Sequence, residues 1–485
     1  MKVLIYIETN YADNEICFIG RNIREKYEVK TIELEGKTLR YRAFEHIPYV
    51  ERPVAEEMQV LNIFVPEKFY EGESINGYSL ENAPIFLPNT AGGYMPGPCD
   101  EPGPGREGGL NAIFEGLLHG YVVVSPGIRG REMKNKEGKF IGMAPAALCD
   151  YKAAVRYLRH NREAVPGNTE KIISNGTSAG GAMSSLLGAT GNHPDYEPYL
   201  REMGAAEERD DIFAASCYCP ITNLDHADMA YEWEFEGLNE YHRMHLEPPA
   251  EEGQPPVKTI IEGSMDEKQQ KMAVELKKMF PAYVNSLKLK DEKGQPLMLD
   301  EKGEGTLLEF IMQVVKESAQ GQLDMGDDLS DLDWMEIRDH QVISIDFKKY
   351  VKFRTRMKDT PAFDSIHMRT PENELFGTPD IQFRHFTEYS REHSAAGGEL
   401  ADAHQIKMMN PMEYIRDENS TTAKYYRIRH GAVDRDTSLS ISALLTAMLR
   451  EGGTKVEFAY PWGRPHSGDY DLEELFAWID EICRD

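Results

Sequence analysis

At 485 residues the chain exceeds one average domain, so one large core with an insertion, or two domains, is expected. Its 41% apolar and 28% charged residues permit a sizeable core. Acidic residues outnumber basic ones by 82 to 54, and the resulting charge of −28 argues against nucleic-acid or anionic-membrane partners while saying nothing about the reaction.

The opening run, MKVLIYIETNYADNEICF, is apolar only briefly before Glu8, and it lacks the long apolar stretch and small-residue cleavage site of a secretory signal. No run of about 18 apolar residues predicts a transmembrane helix. Cys17, Cys99, Cys149, Cys217, Cys219 and Cys483 have neither zinc-site nor disulfide-framework spacing, and Cys217 and Cys219 read as small packed hydrophobes. The expected compartment is therefore the cell interior, with a monomer slightly favoured.

The segments EVKTIEL, LRYRAFE and MQVLNIFVP predict an antiparallel start to a sheet. Ala83 to Tyr94 reads as a buried strand breaking into Gly92-Gly93, followed by the loop PGPCDEPGPG. A helical segment, Leu110 to Leu118, leads to a buried strand over Tyr121 to Gly127. An amphipathic run over Ala146 to Asn161 precedes the strand of KIISNGTSAGG, and a helix and the strand DIFAASCYCPI follow. This alternation predicts a mostly parallel sheet with helices on both faces and ligand-binding loops at one edge. From Thr222 to Glu399 the chain turns polar and rich in Met and Lys, with no buried parallel strand evident. We expect an inserted lid domain over residues 222–399, interrupting a catalytic domain of 1–221 and 400–485. The alternation resumes with a strand within Ala423 to Gly431, a helix over Leu439 to Arg450, a strand over Lys455 to Tyr460 and a helix over Leu472 to Ile482.

The chemistry-bearing stretch is Gly176-Thr177-Ser178-Ala179-Gly180, a G-x-S-x-G motif between a strand and a helix. In that context the glycines permit a strained turn that exposes the Ser178 hydroxyl at a helix N-terminus. A serine nucleophile needs a base and an orienting acid, in the chain order serine, acid, histidine. Asp434 follows the penultimate strand, His466 follows the last, and of 14 histidines only His466 has this placement. Asp436 is nearly as well placed to be the acid, and Asp434 could instead cap the next helix. An oxyanion would be held by the backbone N–H of Ala179 and by one from the glycine loop, Gly92 or Gly93. Asp225, His226 and Asp228 form a tempting metal cluster, but a polar loop entering the lid is the better reading. His430, at a strand end, reads as structural. No metal or organic cofactor is implied.

Longer motifs carry a resemblance: LPNTAGGYMPGP, VVSPGIRGR, NGTSAGG, ADMAYEW, MKDTPAFD, TPENELFG, RIRHGAVDRDTS and PHSGDYDLEELFAWID. From about Tyr41 onward the chain resembles the bacterial tannases (tannin acylhydrolases), α/β-hydrolase serine esterases that cleave galloyl esters. The resemblance implies an α/β-hydrolase fold with a large inserted lid. It implies Ser178 as nucleophile, Asp434 as acid, His466 as base and Gly92 as the oxyanion glycine. It also implies that Lys358, Glu372 and Asp436 bind the galloyl hydroxyls. Without it, those three would read as a solvated charged face. The implied partner is a small phenolic ester. Carboxylates and an ammonium suit three adjacent phenolic hydroxyls, whereas a feruloyl ring would leave a buried carboxylate unpaired. The rival reading is a feruloyl or chlorogenate esterase, or a general carboxylesterase of the same fold.

Overall fold

Short apolar runs bounded by proline build the centre of the molecule, described here from a computed structural model over residues 4–18, 21–105, 108–247 and 257–484. Four strands come first: β1 (Leu4–Phe18), β2 (Arg21–Leu34), β3 (Lys37–Pro48) and β4 (Val60–Pro66). They pair antiparallel in sequence order, as their alternation predicts. Next come β5 (Pro84–Pro88), β6 (Val122–Pro126), β7 (Asn168–Thr177) and β8 (Ala214–Tyr218). PIFLP, VVVSP and AASCY are buried along their whole length, the mark of strands covered on both faces.

After β8 the pattern changes. β9 (Glu240–Glu247) pairs with β10 (Val257–Ser264), and β11 (Met335–Arg338) with β12 (Gln341–Ile345), as two antiparallel hairpins separate from the main sheet. The main sheet resumes with β13 (Tyr425–Arg429) and β14 (Lys455–Ala459). It has ten strands in the order β1-β2-β3-β4-β6-β5-β7-β8-β13-β14 and is parallel from β6 onward. Among the described residues, nothing between β8 and β13 adds a strand to it. One apolar cluster nevertheless runs from the sheet into this intervening segment through Phe280, Ile311, Trp334, Tyr350 and Phe363.

Parallel strands joined by helical crossovers send all their C-terminal ends to one edge. The loops after β5, β7, β8, β13 and β14 therefore meet there, carrying Gly92, Ser178, Cys219, Asp434 and His466. The closing helix Leu472–Arg484 buries Leu475, Phe476 and Ile479 against the sheet's helical layer, and Asp480 accepts from the hydroxyls of Tyr78 and Tyr121. No helix among the described residues is long and apolar enough to cross a membrane.

Candidate active site

Ser178 joins β7 to the helix Ala179–Ala189 with φ 62° and ψ −122°, a conformation that costs a non-glycine residue about 1–3 kcal/mol. Its amide donates to Tyr218 O at 3.0 Å, tying the turn to β8. The flanking glycines are sterically required. A Cβ on Gly176 would lie 2.3 Å from Gly180 O, and one on Gly180 would lie 2.5 Å from Asn89 Oδ1. Asn89 itself donates to the carbonyls of Asn175 and Gly180 and accepts from Ala91 N, which pins the loop after β5 beside the turn. Ala179, first residue of its helix, has an amide without an intrahelical acceptor, at the positive end of the helix dipole. A Cβ on Gly92 would meet no protein atom within 4 Å, so the space beside it is open.

Three side chains form a line. The Ser178 hydroxyl lies 2.8 Å from His466 Nε2, and His466 Nδ1 lies 2.8 Å from Asp434 Oδ2. Asp434 is fully buried, whereas the His466 ring keeps 25% of its exposure. Burial alone would raise the Asp434 carboxyl, but the two histidines beside it and the His466 hydrogen bond hold it far below the usual carboxylate range. Burial alone would depress His466, and the Asp434 carboxylate outweighs that and holds the imidazole well above 6.5. A hydroxyl bonded to an imidazole with an ionised carboxylate behind it can be deprotonated as it attacks. Of the two aspartates left open by spacing, Asp434 therefore faces the histidine. It does not cap the following helix, whose N-cap is Ser438.

Asp436 faces away, toward the intervening segment. Its amide donates to Asp434 Oδ1 at 2.8 Å, and its carboxylate accepts from Lys358 Nζ at 3.0 Å. The Lys358 ammonium also lies 3.9 Å from the centre of the Phe363 ring. Glu372, in the first turn of the helix Pro371–Leu375, is buried. Burial pushes its carboxyl up, while Lys358 pulls it down. Asp436 feels the same burial, but Lys358 and His466 hold it below the usual range. These three charges are thus packed together beside Asp434 and are not a solvated face. An open cleft of about 1400 Å³ also reaches Ser178 and His466, lined by Gly92, Asn111, Gln322 and Trp462 among others. Lys358, Glu372 and Asp436 are not among the residues lining that cleft.

Several other residues were given no role by the sequence. The hydroxyl of buried Tyr231 accepts from the amides of Met357 and Lys358 and donates to Arg435 O, joining both charged loops. Fully buried Arg354 pairs with Glu234 and donates to the Asp434 carbonyl, and Glu234 accepts from Ser438 and Leu439 N. Arg356, paired with Glu232, donates to Lys358 O. Each of these contacts crosses 70 residues or more of sequence, apart from the short Arg356–Lys358 contact.

Two expectations change. Asp225, His226 and Asp228 sit on the helix Leu224–Phe235, not in a polar loop. There Asp225 accepts from Asn410, His226 stacks on Tyr283, and Asp228 accepts the amides of Phe363 and Asp364. Burial and the nearby Asp364 push the Asp228 carboxyl up to about 7. Cys219 is more than packing: its thiol donates to Ser467 O and lies 3.9 Å from His466 Nε2. Among the described residues, Cys219, Asp434 and His466 are the one tight cluster of ligand-type side chains, and their atoms are engaged with one another.

A second serine–histidine–aspartate line exists in Ser394, His385 and Asp364, at 2.8 and 2.6 Å. There the serine oxygen already accepts the amides of Gly397 and Gly398, and Asp364 is consumed by Asn373, Phe386 N and Thr387. It braces the short helix that carries Glu372, through Asn373, and has no helix N-terminus behind the serine.

A largely parallel sheet with a serine on a strained strand-to-helix turn, and an acid and a histidine on the last two strand-ending loops, defines an α/β-hydrolase. The BD-FAE family model, of that superfamily, matches residues 107–273. A tannase from Lactobacillus plantarum is 44% identical over 93% of this chain and 97% of its own, with a TM-score of 0.91. A Fusobacterium nucleatum tannase is 45% identical over 94% and 98%, with a TM-score of 0.89. A tannin acyl hydrolase solved in complex with ethyl gallate is 44% identical over 93% and 96%, with a TM-score of 0.87. Comparison with curated proteins found no match. The chain belongs to the bacterial tannases and is a carboxylic ester hydrolase.

Proposed function

We propose that this protein hydrolyses galloyl esters to gallic acid and an alcohol, with Ser178, His466 and Asp434 as its catalytic triad. His466 Nε2 takes the Ser178 proton as Oγ attacks the ester carbonyl. The oxyanion is held by the N–H groups of Ala179 and Gly92. Collapse expels the alcohol, which takes the proton from His466, and leaves a galloyl ester on Ser178. Water, deprotonated by His466, attacks that ester and releases gallic acid and the free serine. Lys358, Glu372 and Asp436 receive the ring hydroxyls, and the segment 222–399 serves as the lid that carries the first two. The open cleft beside Trp462 takes the alcohol.

The observation that carries this reading is the joint one. The Ser178–His466–Asp434 line has both links at 2.8 Å, and Asp436 couples it directly to the Lys358 ammonium. The solved relatives with ethyl gallate and 3,4-dihydroxybenzoate support the ligand chemistry. Ser178→Ala should abolish turnover of methyl gallate with the fold intact. Lys358→Met should lower kcat/KM on methyl gallate by roughly 10- to 100-fold, the worth of a charge-assisted hydrogen bond, and narrow the preference over methyl ferulate. Turnover by the alanine variant, or an equal wild-type rate on both esters, would refute the reading.

A further inference from the structure

Asp434 has a second histidine beside it that the reaction does not use. His430 stands at the end of β13, is 0% exposed, and sits four residues before the acid. Its Nδ1 lies 2.5 Å from Ser442 Oγ on the helix Leu439–Glu451. Its Nε2 lies 3.4 Å from Asp434 Oδ2, the same oxygen that His466 Nδ1 approaches to 2.8 Å, and has no conventional hydrogen-bond partner. Ser442 has one hydroxyl proton and two acceptors in reach, Nδ1 at 2.5 Å and Leu439 O at 3.4 Å. Because Nε2 faces the Asp434 carboxylate and has no other partner, the ring proton is favoured on Nε2, which leaves Nδ1 to accept from the Ser442 hydroxyl. Burial lowers the imidazole to about 4, so it stays neutral through the pH range where an esterase works.

We infer that His430 is a positioning residue for the acid: Ser442 fixes its tautomer, and its Nε2–H shares Asp434 Oδ2 with His466, steadying the carboxylate and moderating its pull on the His466 proton. This rests on Asp434 being the acid of the triad. The distance of 3.4 Å makes the contact an oriented dipole against a charge more than a full hydrogen bond. In a dry pocket such a dipole still counts, because no water screens it.

Other groups around the pair act in the background. Asp434 also faces the Asp436 amide, and Arg354 holds its carbonyl. His430 feels Asp434, Arg354, His466 and Asp436, while His466 faces Asp434, Cys219 and Asp436. Glu234 neutralises Arg354, Lys358 neutralises Asp436, and the hydroxyl of Tyr350 donates to Ala432 O. The Tyr460 ring packs edge-on to His430 with centroids 5.9 Å apart, and its hydroxyl is spent on Leu439 O. None of these replaces an N–H aimed at Oδ2.

The sign follows. Without that donor the carboxylate is less satisfied and binds the imidazolium of His466 more strongly, so His466 must be titrated at higher pH before it can act as base. The test compares wild type, His430→Leu, His430→Gln, Ser442→Ala and Asp434→Asn by the pH profile of kcat/KM on methyl gallate. In His430→Leu the acidic limb should move up by about half a pH unit or more. Its kcat above the limb should fall roughly 3- to 10-fold, about the worth of one hydrogen bond, with KM within about twofold of wild type. His430→Gln, which retains an amide donor, should return the limb toward wild type. Ser442→Ala, which releases the tautomer, should move it in the same direction as leucine, and it decides the matter if the leucine variant does not fold. A limb that stays in place in the folded leucine variant, or in Ser442→Ala where leucine fails, overturns the inference, as does a uniform loss at every pH. Asp434→Asn separates the two levels: if it remains active the triad assignment itself fails, and if it is inactive while the limb is unmoved only the role of His430 fails.

Discussion

Tyr231→Phe isolates what one hydroxyl does for the proposed acyl site. The ring stays, so no cavity opens, and its contacts with Phe235 and Phe363 remain. What is lost is one acceptor for the amides of Met357 at 3.2 Å and Lys358 at 3.0 Å, and one donor to Arg435 O at 3.0 Å. Tyr231 is fully buried, so the three orphaned groups are poorly placed to recover water. At about 1 kcal/mol per bond the loss is about 3 kcal/mol. For a chain of 485 residues the unfolding entropy is about 1 kcal/mol/K, so a cooperative transition shifts by only about 3 °C. The kinetic effect should be the larger signal, because the broken bonds joined the Lys358 loop to the Asp436 loop and did not touch Ser178. We expect KM for methyl gallate to rise about 10-fold while kcat changes less than about threefold, since a displacement near 1 Å weakens ground-state and transition-state binding alike. Differential scanning calorimetry and steady-state hydrolysis measure the two arms. A variant with wild-type KM would refute the argument that Tyr231 sets the spacing of the two charged loops, whatever its melting temperature.

Two further outcomes test the site. As the proposed base, His466 would act only when neutral, and its pKa is held above the ordinary 6.5 by Asp434, so activity should be lost as pH falls through that raised value. The acidic limb of the kcat/KM profile should therefore lie above pH 6.5, and a limb at or below it contradicts the electrostatics. Gly92→Ala adds a methyl group where no protein atom lies within 4 Å, and Gly92 is not held at positive φ. Stability should remain within about 0.5 kcal/mol of wild type, while kcat/KM falls because the methyl group occupies the space of the carbonyl carbon's substituents. Unchanged kinetics would remove Gly92 from the oxyanion site.

The N-terminal meander and the parallel strands were legible because each is a local pattern: alternation in β3, continuous apolar runs in β5, β6 and β8. The strand-turn-helix around Ser178 was legible for the same reason, since the two glycines answer to atoms within a few residues or to the neighbouring loop. The hairpins β9–β10 and β11–β12 were not read at all; β11 and β12 are only four and five residues long and largely exposed, so no buried run marks them. The helix Leu224–Phe235 was mistaken for a loop because its acidic and histidine side chains are satisfied by Asn410, Tyr283 and the Phe363–Asp364 amides, none of them near in sequence.

By itself, then, the sequence determined the layered architecture, the exposed serine at a helix start and the two loops that had to hold an acid and a histidine, because propensity, periodicity and turn sterics act over a few residues. Spacing left two aspartates open and the resemblance pointed to Asp434, but only the tertiary structure showed that it faces His466, that Lys358 lies against Asp436, and that His430 stands behind Asp434. Those outcomes depend on which charges are buried together and how each buried N–H and oxygen is satisfied. That depends on contacts spanning tens to hundreds of residues, to which no local pattern is sensitive.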